Sequence, residues 1–325
     1  MLKIFKTQNP YSIILLLIIT LVIKIPLLSG LPMPKVEEYQ VLWKIILNGF
    51  FKIFGTNVYF FYFLAIINIF LQGIYLNYIA NKYHLFSSRT YLPAYTFIIV
   101  SSLNPRWSLF SVEIINTWLL LLLLNNVFRT YNDPNIRKTL FNVGFLVSCL
   151  ILLDLPNFWF FFFIAFSITL LRNYIFSEWM VTLLGLFIPF YLLVSISYLT
   201  DDLYLISKIF STKFGWNFDF NTKRTIILSV IGFFTFLGIL IHTKDYGKML
   251  FQIKKLWGVI FLLLFLTIIS TVGIFQQGFS IWMVCLIPTT LFINKVWLIK
   301  KPKWMPEFFN FILLAAVVYL NWIMV

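Results

Sequence analysis

The sequence predicts an all-α, polytopic membrane protein with about eleven transmembrane helices. Of its 325 residues, 61% are hydrophobic and only 11% are charged, whereas soluble domains are about 45–50% apolar and about 25% charged. The apolar residues fall into long runs, several of them close to the roughly 20 residues that a spanning helix needs. The composition excludes a water-soluble fold, so we expect one integral-membrane domain over residues 1–325, with the lipid bilayer as its partner and no nucleic acid.

Eleven apolar segments are the candidate spans. The first follows only two lysines and has no small-residue cleavage site after it, so we expect it to be retained rather than removed as a signal peptide. In chain order the segments are Tyr11–Leu28, Asn57–Leu76, Tyr91–Leu103, Leu109–Val127, Leu140–Leu153, Leu155–Leu171, Trp179–Leu199, Thr225–Ile241, Trp257–Phe275, Phe279–Ile293 and Phe308–Val325.

Two segments between the spans, Lys35–Phe54 and Asp201–Arg224, mix charged with apolar residues. In the first, the apolar residues recur every three or four positions, and the charges occupy the gaps. This spacing is typical of an amphipathic helix that lies on a membrane surface. The alternative for the first segment is a short helix that only closes the bundle.

The basic residues orient the chain. With the N-terminus in the cytoplasm, 16 of the 25 basic residues and four of the eleven acids lie inside, which gives +12 inside and +2 outside. Cytoplasmic loops of membrane proteins carry an excess of lysine and arginine. The sequence therefore predicts a multi-pass membrane protein with a cytoplasmic N-terminus and an extracytoplasmic C-terminus.

Histidine and motif content exclude several enzyme classes. The only histidines, His84 and His242, fall in predicted cytoplasmic loops. Haem and non-haem iron sites need several imidazole or carboxylate ligands that converge in one pocket, so we expect neither haem nor iron. No glycine-rich phosphate loop, GxSxG elbow or HExxH motif occurs in the sequence. These absences leave carboxylate chemistry as the main alternative.

Seven of the eleven acids are predicted on the outer side, and they supply the candidate site. Glu37 and Glu38 follow the first span, where an acid pair can act as a general base or bind a divalent cation. Arg106 is the predicted phosphate ligand, because guanidinium binds phosphate oxygens in a bidentate manner. Glu113 and Asp154 can join them as substrate-binding residues. The structural alternatives are a helix start for the acid pair, a membrane-interface anchor for Arg106 and a turn for Asp154.

The order of a span, an outer acid pair, an amphipathic outer helix and a second span resembles the start of integral-membrane C-type glycosyltransferases. Glu37, Glu38 and Tyr39 stand where those enzymes carry an acidic pair in the first outer loop. The resemblance implies that Glu37 or Glu38 is the catalytic base or metal ligand, and that the donor is a polyprenyl-phosphate-linked sugar. It also implies a seven-span module over residues 1–199, followed over 200–325 by an outer loop and four spans.

The middle of the chain, Phe110–Leu193, carries a second set of matching residues. They are Phe141, Gly144, Phe145, Pro156, Arg172, Glu178, Trp179, Gly185 and Pro189. In these residues the segment is similar to a family of polytopic bacterial inner-membrane proteins defined by a domain of unknown function. This resemblance implies a membrane fold in the bacterial inner membrane and no particular activity.

Two functions from different classes follow from these observations. The first is a membrane enzyme that acts on a polyprenyl-phosphate-linked sugar or a related lipid at the outer leaflet. The second is a non-enzymatic membrane subunit that binds a membrane or periplasmic protein, or a lipid, during envelope biogenesis. A hydrophilic cleft that joins the acid pair to Arg106 and opens to the lipid would favour the enzyme.

Overall fold

A computed structural model describes most of the chain. Its described residues form helices and turns, and no β-strand occurs among them. The all-α class is therefore confirmed. The described residues are 2–7, 9–25, 41–201, 204, 206, 221–272, 279–299, 302 and 304–323.

Thirteen α-helices are numbered here in chain order. They are α1 Leu2–Phe5, α2 Tyr11–Lys24, α3 Val41–Phe54, α4 Val58–Lys82, α5 Leu92–Ser101, α6 Val112–Arg129, α7 Ile136–Leu153, α8 Phe160–Leu171, α9 Phe176–Leu199, α10 Thr222–Asp245, α11 Phe251–Val272, α12 Leu286–Trp297 and α13 Trp304–Val318. Single 3₁₀ segments lie at Pro105–Ser108, Leu155–Trp159, Tyr246–Lys248 and Phe279–Cys285, and a π-helical turn at Tyr319–Ile323 follows α13.

Within the described residues, eight helical segments are long and apolar enough to cross a membrane. All eight coincide with predicted spans, so a multi-pass membrane protein is the reading that the structure supports. They are Val58–Lys82, Val112–Arg129, Ile136–Leu153, Phe176–Leu199, Thr222–Lys248, Phe251–Val272, Phe279–Trp297 and Trp304–Asn321.

The other three predicted spans correspond to shorter apolar helices, so the count of eleven is not confirmed. These are Tyr11–Lys24, Leu92–Ser101 and Leu155–Leu171. The ten residues of α5 rise about 15 Å, half of the hydrocarbon thickness of about 30 Å. All ten are buried. An apolar helix enclosed by protein and one facing lipid have the same composition, which is why the sequence could not separate them.

The described part of the first amphipathic segment is helical. In α3, Trp43 and Leu47 are buried one turn apart, whereas Ile45 and Ile53 are exposed. The Trp43 ring packs on Phe110, with centroids 5.5 Å apart. Residues 35–40 and most of Asp201–Arg224 lie outside the described residues, so the surface position of these segments stays a prediction.

Side-chain contacts define two ends of the helix bundle. At the predicted outer end, the Tyr62 hydroxyl of α4 donates a hydrogen bond to the carbonyl of Lys24, the last residue of α2. At the predicted inner end, the Tyr83 hydroxyl donates to the Asn125 carbonyl at 3.0 Å. Arg172, just after α8, donates to the Thr130 carbonyl at 3.2 Å.

The loop between α6 and α7 at the inner end is organised by Asp133. Burial of this carboxylate opposes its ionisation. The hydrogen bonds from the Thr139 hydroxyl and the Asn135 backbone N–H, together with the Arg129 charge, outweigh that effect and hold the pKa of Asp133 below its usual value. The Arg129 Nε lies 2.9 Å from the carboxylate, so this loop is fixed by a partly exposed ion pair.

Helices α7 and α9 cross at two glycines, Gly144 and Gly185. A Cβ atom at Gly144 would overlap the Thr182 carbonyl oxygen, and one at Gly185 would overlap the Phe141 carbonyl oxygen. Because each glycine faces backbone of the other helix, the two helices approach more closely than side chains would allow. Both glycines therefore have a packing role.

The sequence predicted that His242 lies in a loop, and the structure shows that this prediction is wrong. His242 lies near the end of α10 and is 1% exposed. Its ring packs on Trp257 of α11, with centroids 4.4 Å apart. The helix continues about one turn beyond the apolar run, because buried aromatic contacts compensate for the polar residues there. His84 is exposed, just after α4.

Candidate functional site

The predicted catalytic residues, Glu37 and Glu38, lie outside the described residues, so their role stays a prediction. In the portions of the chain that the structure describes, no group of three or more histidine, cysteine, aspartate and glutamate side chains could hold a metal ion. Binding of a divalent cation by Glu37 and Glu38 therefore stays a prediction.

The structure places the three predicted substrate-binding residues at the same end of the bundle. Arg106 is exposed in the turn Pro105–Ser108. Glu113 lies in the first turn of α6 and is 8% exposed, and Asp154 ends α7 and is 2% exposed. Arg106 and Glu113 are close along the chain. The two acids are inside the protein, so they do not line an open cleft with Arg106.

The turn that carries Arg106 is fixed on both sides. The Asn104 side-chain oxygen accepts a hydrogen bond from the Arg106 backbone N–H at 3.2 Å, which starts the turn as an N-cap does. The Trp107 indole N–H donates to the Phe279 carbonyl at 3.3 Å. The rings of Trp107 and Phe279 also stack, with centroids 5.5 Å apart. The position of Arg106 therefore follows from rigid neighbours.

An apolar groove of about 250 Å³ begins at Trp107. It runs between α10, α11 and the segment Phe279–Trp297. Its lining consists of apolar side chains, two threonines, a cysteine and one glycine. These residues are Trp107, Leu228, Ile231, Gly232, Thr235, Phe236, Ile239, Leu264, Ile268, Trp282, Cys285, Leu286 and Thr289. Such a lining suits a hydrocarbon chain and no charged group.

Positive charge lies beside the Trp107 end of the groove. Arg106 precedes Trp107 in the chain and is exposed. Lys223, in the first turn of α10, is close enough to Arg106 for the two charges to repel each other. The N-terminus of α10 adds the positive end of a helix dipole. An anionic head group bound beside Arg106 would lie next to the apolar groove, so the groove and the positive charge together match a lipid with an anionic head.

Sequence reasoning missed one buried contact at this end. Lys24 was counted among the outer charges, but the structure buries it completely and places its Nζ atom 2.5 Å from the Ser108 Oγ atom. Ser108 is itself fully buried. The only signal in the sequence is a lysine near the end of an apolar run, where a long side chain usually extends to the surface.

The groove, the exposed Arg106 and the buried contact of Ser108 thus meet at one turn of the chain. Comparison of the chain with models of protein families, with curated proteins and with solved structures finds no match in any of the three.

Proposed function

We propose that this protein is a membrane enzyme that binds a polyprenyl-phosphate-linked sugar or a related lipid phosphate at the outer membrane surface. The observation that carries the proposal is the apolar groove that begins at Trp107, next to the exposed Arg106. A prenyl chain would lie in the groove, and its phosphate would reach Arg106 and Lys223. A prenyl phosphate combines a long apolar chain with a compact anion, which are the two parts that the groove and the arginine would bind.

Arginine suits this role better than lysine alone. Its planar guanidinium donates two parallel hydrogen bonds to phosphate oxygens and keeps its charge at every relevant pH. Lys223 would add a point charge from α10. A phosphate bound between them stays at the level of the lipid head groups, so its charge need not enter the hydrocarbon layer.

The chemistry would be supplied by the acid pair. Glu37 or Glu38 would accept a proton from the attacking hydroxyl of the acceptor, or hold a divalent cation that neutralises the leaving phosphate. The resemblance to C-type glycosyltransferases in the first outer loop supports this assignment. The buried Glu113 and Asp154 would then act from inside the protein, by holding the outer ends of α6 and α7.

Photocrosslinking tests the lipid site. A photoreactive long-chain prenyl phosphate is expected to label the groove of the full-length protein in lipid nanodiscs. Gly232→Leu should abolish the labelling, because no atom lies within 4 Å of the position where its side chain begins and the leucine would fill the groove. Gly247→Leu is the matched control, since Gly247 is equally unobstructed, lies in the 3₁₀ turn that follows α10 and does not line the groove.

The head-group preference tests Arg106. Loss of a charge-assisted hydrogen bond costs about 1.5–3 kcal/mol, or about 10- to 100-fold in affinity. Arg106→Gln should weaken the binding of the prenyl phosphate by this factor and leave the affinity for the corresponding prenyl alcohol unchanged. Equal binding of alcohol and phosphate by the unaltered protein would contradict the lipid-phosphate assignment.

The acid pair distinguishes an enzyme from a subunit. Glu37→Gln or Glu38→Gln should lower activity by about 10²- to 10⁴-fold, the usual contribution of a general base, while the protein is still made at the normal level. The measurement is complementation of a deletion strain by each single variant and by the double variant. Full complementation by all three would remove the catalytic role and leave the partner-binding subunit as the better account.

A further inference from the structure

A buried contact between Lys24 and Ser108 lies next in sequence to Trp107, which lines the groove. The two side chains are 84 residues apart in sequence and both are fully buried. Their Nζ and Oγ atoms are 2.5 Å apart. The Tyr62 hydroxyl holds the Lys24 backbone from α4, and the turn Pro105–Ser108 is held by Asn104 and Phe279. The contact is therefore fixed from both sides.

A packing role alone does not account for this lysine. Burying an ammonium group away from water is costly unless an opposite charge compensates for it. Among the described residues, the Ser108 hydroxyl is the hydrogen-bond partner that the structure gives to the Lys24 amine. A methionine would fill the same space at a lower cost. An amine in contact with a serine hydroxyl is the arrangement that serine–lysine enzymes use, in which lysine removes the serine proton.

A hydrogen-bond donor without a partner lies in the same turn. Asn104 is 5% exposed, and its side-chain oxygen is occupied by the Arg106 N–H. Its Nδ2 group is buried and has no partner among the described residues. A buried amide that donates no hydrogen bond lowers the stability of the folded protein. Four residues before Ser108, it is well placed to stabilise the negative oxygen that develops when a serine attacks a carbonyl group.

We propose that Ser108 and Lys24 form a nucleophile and general-base pair that accepts the acyl group of a long-chain acyl ester. The Ser108 Oγ atom bonds to the ester carbonyl carbon, and its proton passes to the Lys24 Nζ atom. The carbon–oxygen bond of the ester then breaks, and the leaving alcohol takes that proton. Water cleaves the acyl-serine in the same way, releases a fatty acid and restores Ser108.

The substrate class follows from the neighbours of Ser108. Trp107, one residue earlier, begins the apolar groove, and Arg106 before it is exposed. Three consecutive residues therefore differ in their surroundings: Arg106 is exposed, Trp107 lines the apolar groove, and Ser108 is buried against Lys24. A membrane glycerolipid has the same three parts: an acyl chain, a polar head and an ester between them. The proposal goes beyond lipid-phosphate binding and needs neither Glu37 nor Glu38.

A long-chain alkyl fluorophosphonate tests the pair directly. Its phosphorus occupies the place of the ester carbonyl, and an activated serine displaces fluoride from it. The full-length protein in lipid nanodiscs should form one covalent adduct, which peptide mass spectrometry locates at Ser108. Ser108→Ala should abolish the adduct. Lys24→Met should slow its formation by about 10²- to 10⁴-fold, the usual effect of losing a general base, while thermal unfolding is unchanged or improved.

Ser102→Ala is the matched control. Ser102 is a buried serine near the same end of the bundle, and its hydroxyl donates to the Ile98 carbonyl at 2.7 Å. This variant should react at the normal rate. Because the probe has the chain and shape of the proposed substrate, an absent Ser108 adduct would overturn the proposal, as would normal labelling of a folded Lys24→Met variant. An adduct in a protein that fails to bind prenyl phosphate would separate this inference from the proposed function.

Discussion

Gly238→Ala is expected to destabilise the folded protein by about 3 kcal/mol, the upper part of the range for overpacking a close-packed interior. Helix α10 crosses α12 at this glycine. An added Cβ would overlap the Phe292 carbonyl oxygen and would lie 2.5 Å from its carbonyl carbon and 3.2 Å from the Ile293 nitrogen. All three atoms belong to backbone, so no side chain can rotate to make room. The helices would have to separate and lose their packing.

Gly232→Ala in the same helix is the control. No atom lies within 4 Å of the Cβ that it would add. Alanine is favoured over glycine inside a helix by about 1 kcal/mol, so this variant should be at least as stable as the parent. Thermal unfolding of both variants in one detergent gives the comparison. Similar midpoints for the two would show that α10 and α12 do not cross at Gly238.

Arg172→Met is expected to destabilise the protein by about 3 kcal/mol, the lower end of the range for breaking a buried ion pair. Arg172 Nη2 lies 3.2 Å from Glu178 Oε1, and the Glu178 side chain is only 8% exposed. Removing the arginine leaves that carboxylate buried without its partner. It also removes the hydrogen bond to the Thr130 carbonyl. The lower end of the range applies because the arginine side chain is 26% exposed.

The double variant Arg172→Met/Glu178→Gln should recover much of the loss, because the buried charge disappears with its partner. Arg129→Met is the comparison at an exposed position, since the Arg129 side chain is 52% exposed. The Asp133 carboxylate is buried, but without Arg129 it still accepts hydrogen bonds from the Thr139 hydroxyl and the Asn135 N–H. We therefore expect Arg129→Met to cost less than Arg172→Met. Chemical or thermal unfolding of the parent, Arg172→Met, Glu178→Gln and the double variant measures the coupling. Additive losses in the double variant would show that the pair does not act as a unit.

The sequence predicted the helical membrane fold because the bilayer imposes one strong rule. Every spanning helix must be long and apolar. The eight described helical segments that are long and apolar enough to cross a membrane all lie on predicted spans. The same rule fails for α5, which is apolar because protein surrounds it. It also fails near His242, where aromatic neighbours let α10 continue past the apolar run. The hydropathy of a segment indicates that its surroundings are apolar. It does not indicate whether those surroundings are lipid or protein.

The candidate site was predictable only in part. Arg106 was predicted from its guanidinium group on the outer side, and the structure places it in an exposed turn. The groove was not predicted, because leucines that line a groove and leucines that face lipid are alike in sequence. The contact of Lys24 with Ser108 joins residues far apart in the chain, and no short motif marks it. Sites assembled from distant helices are recognised by distance and burial.

The enclosure of α5 also bears on the order in which this protein is assembled. Tyr95 of α5 donates a hydrogen bond to Asn310 of α13 at 2.8 Å, and Trp297 of α12 donates to Thr96 of α5 at 2.8 Å. The walls around an early helix are thus built from helices synthesised some 200 residues later. Until α12 and α13 have left the ribosome, the face of α5 that they cover contacts lipid or an insertion factor, and these two hydrogen bonds are not yet made. The last helices to be synthesised therefore complete the packing around α5, one of the first helices of the chain.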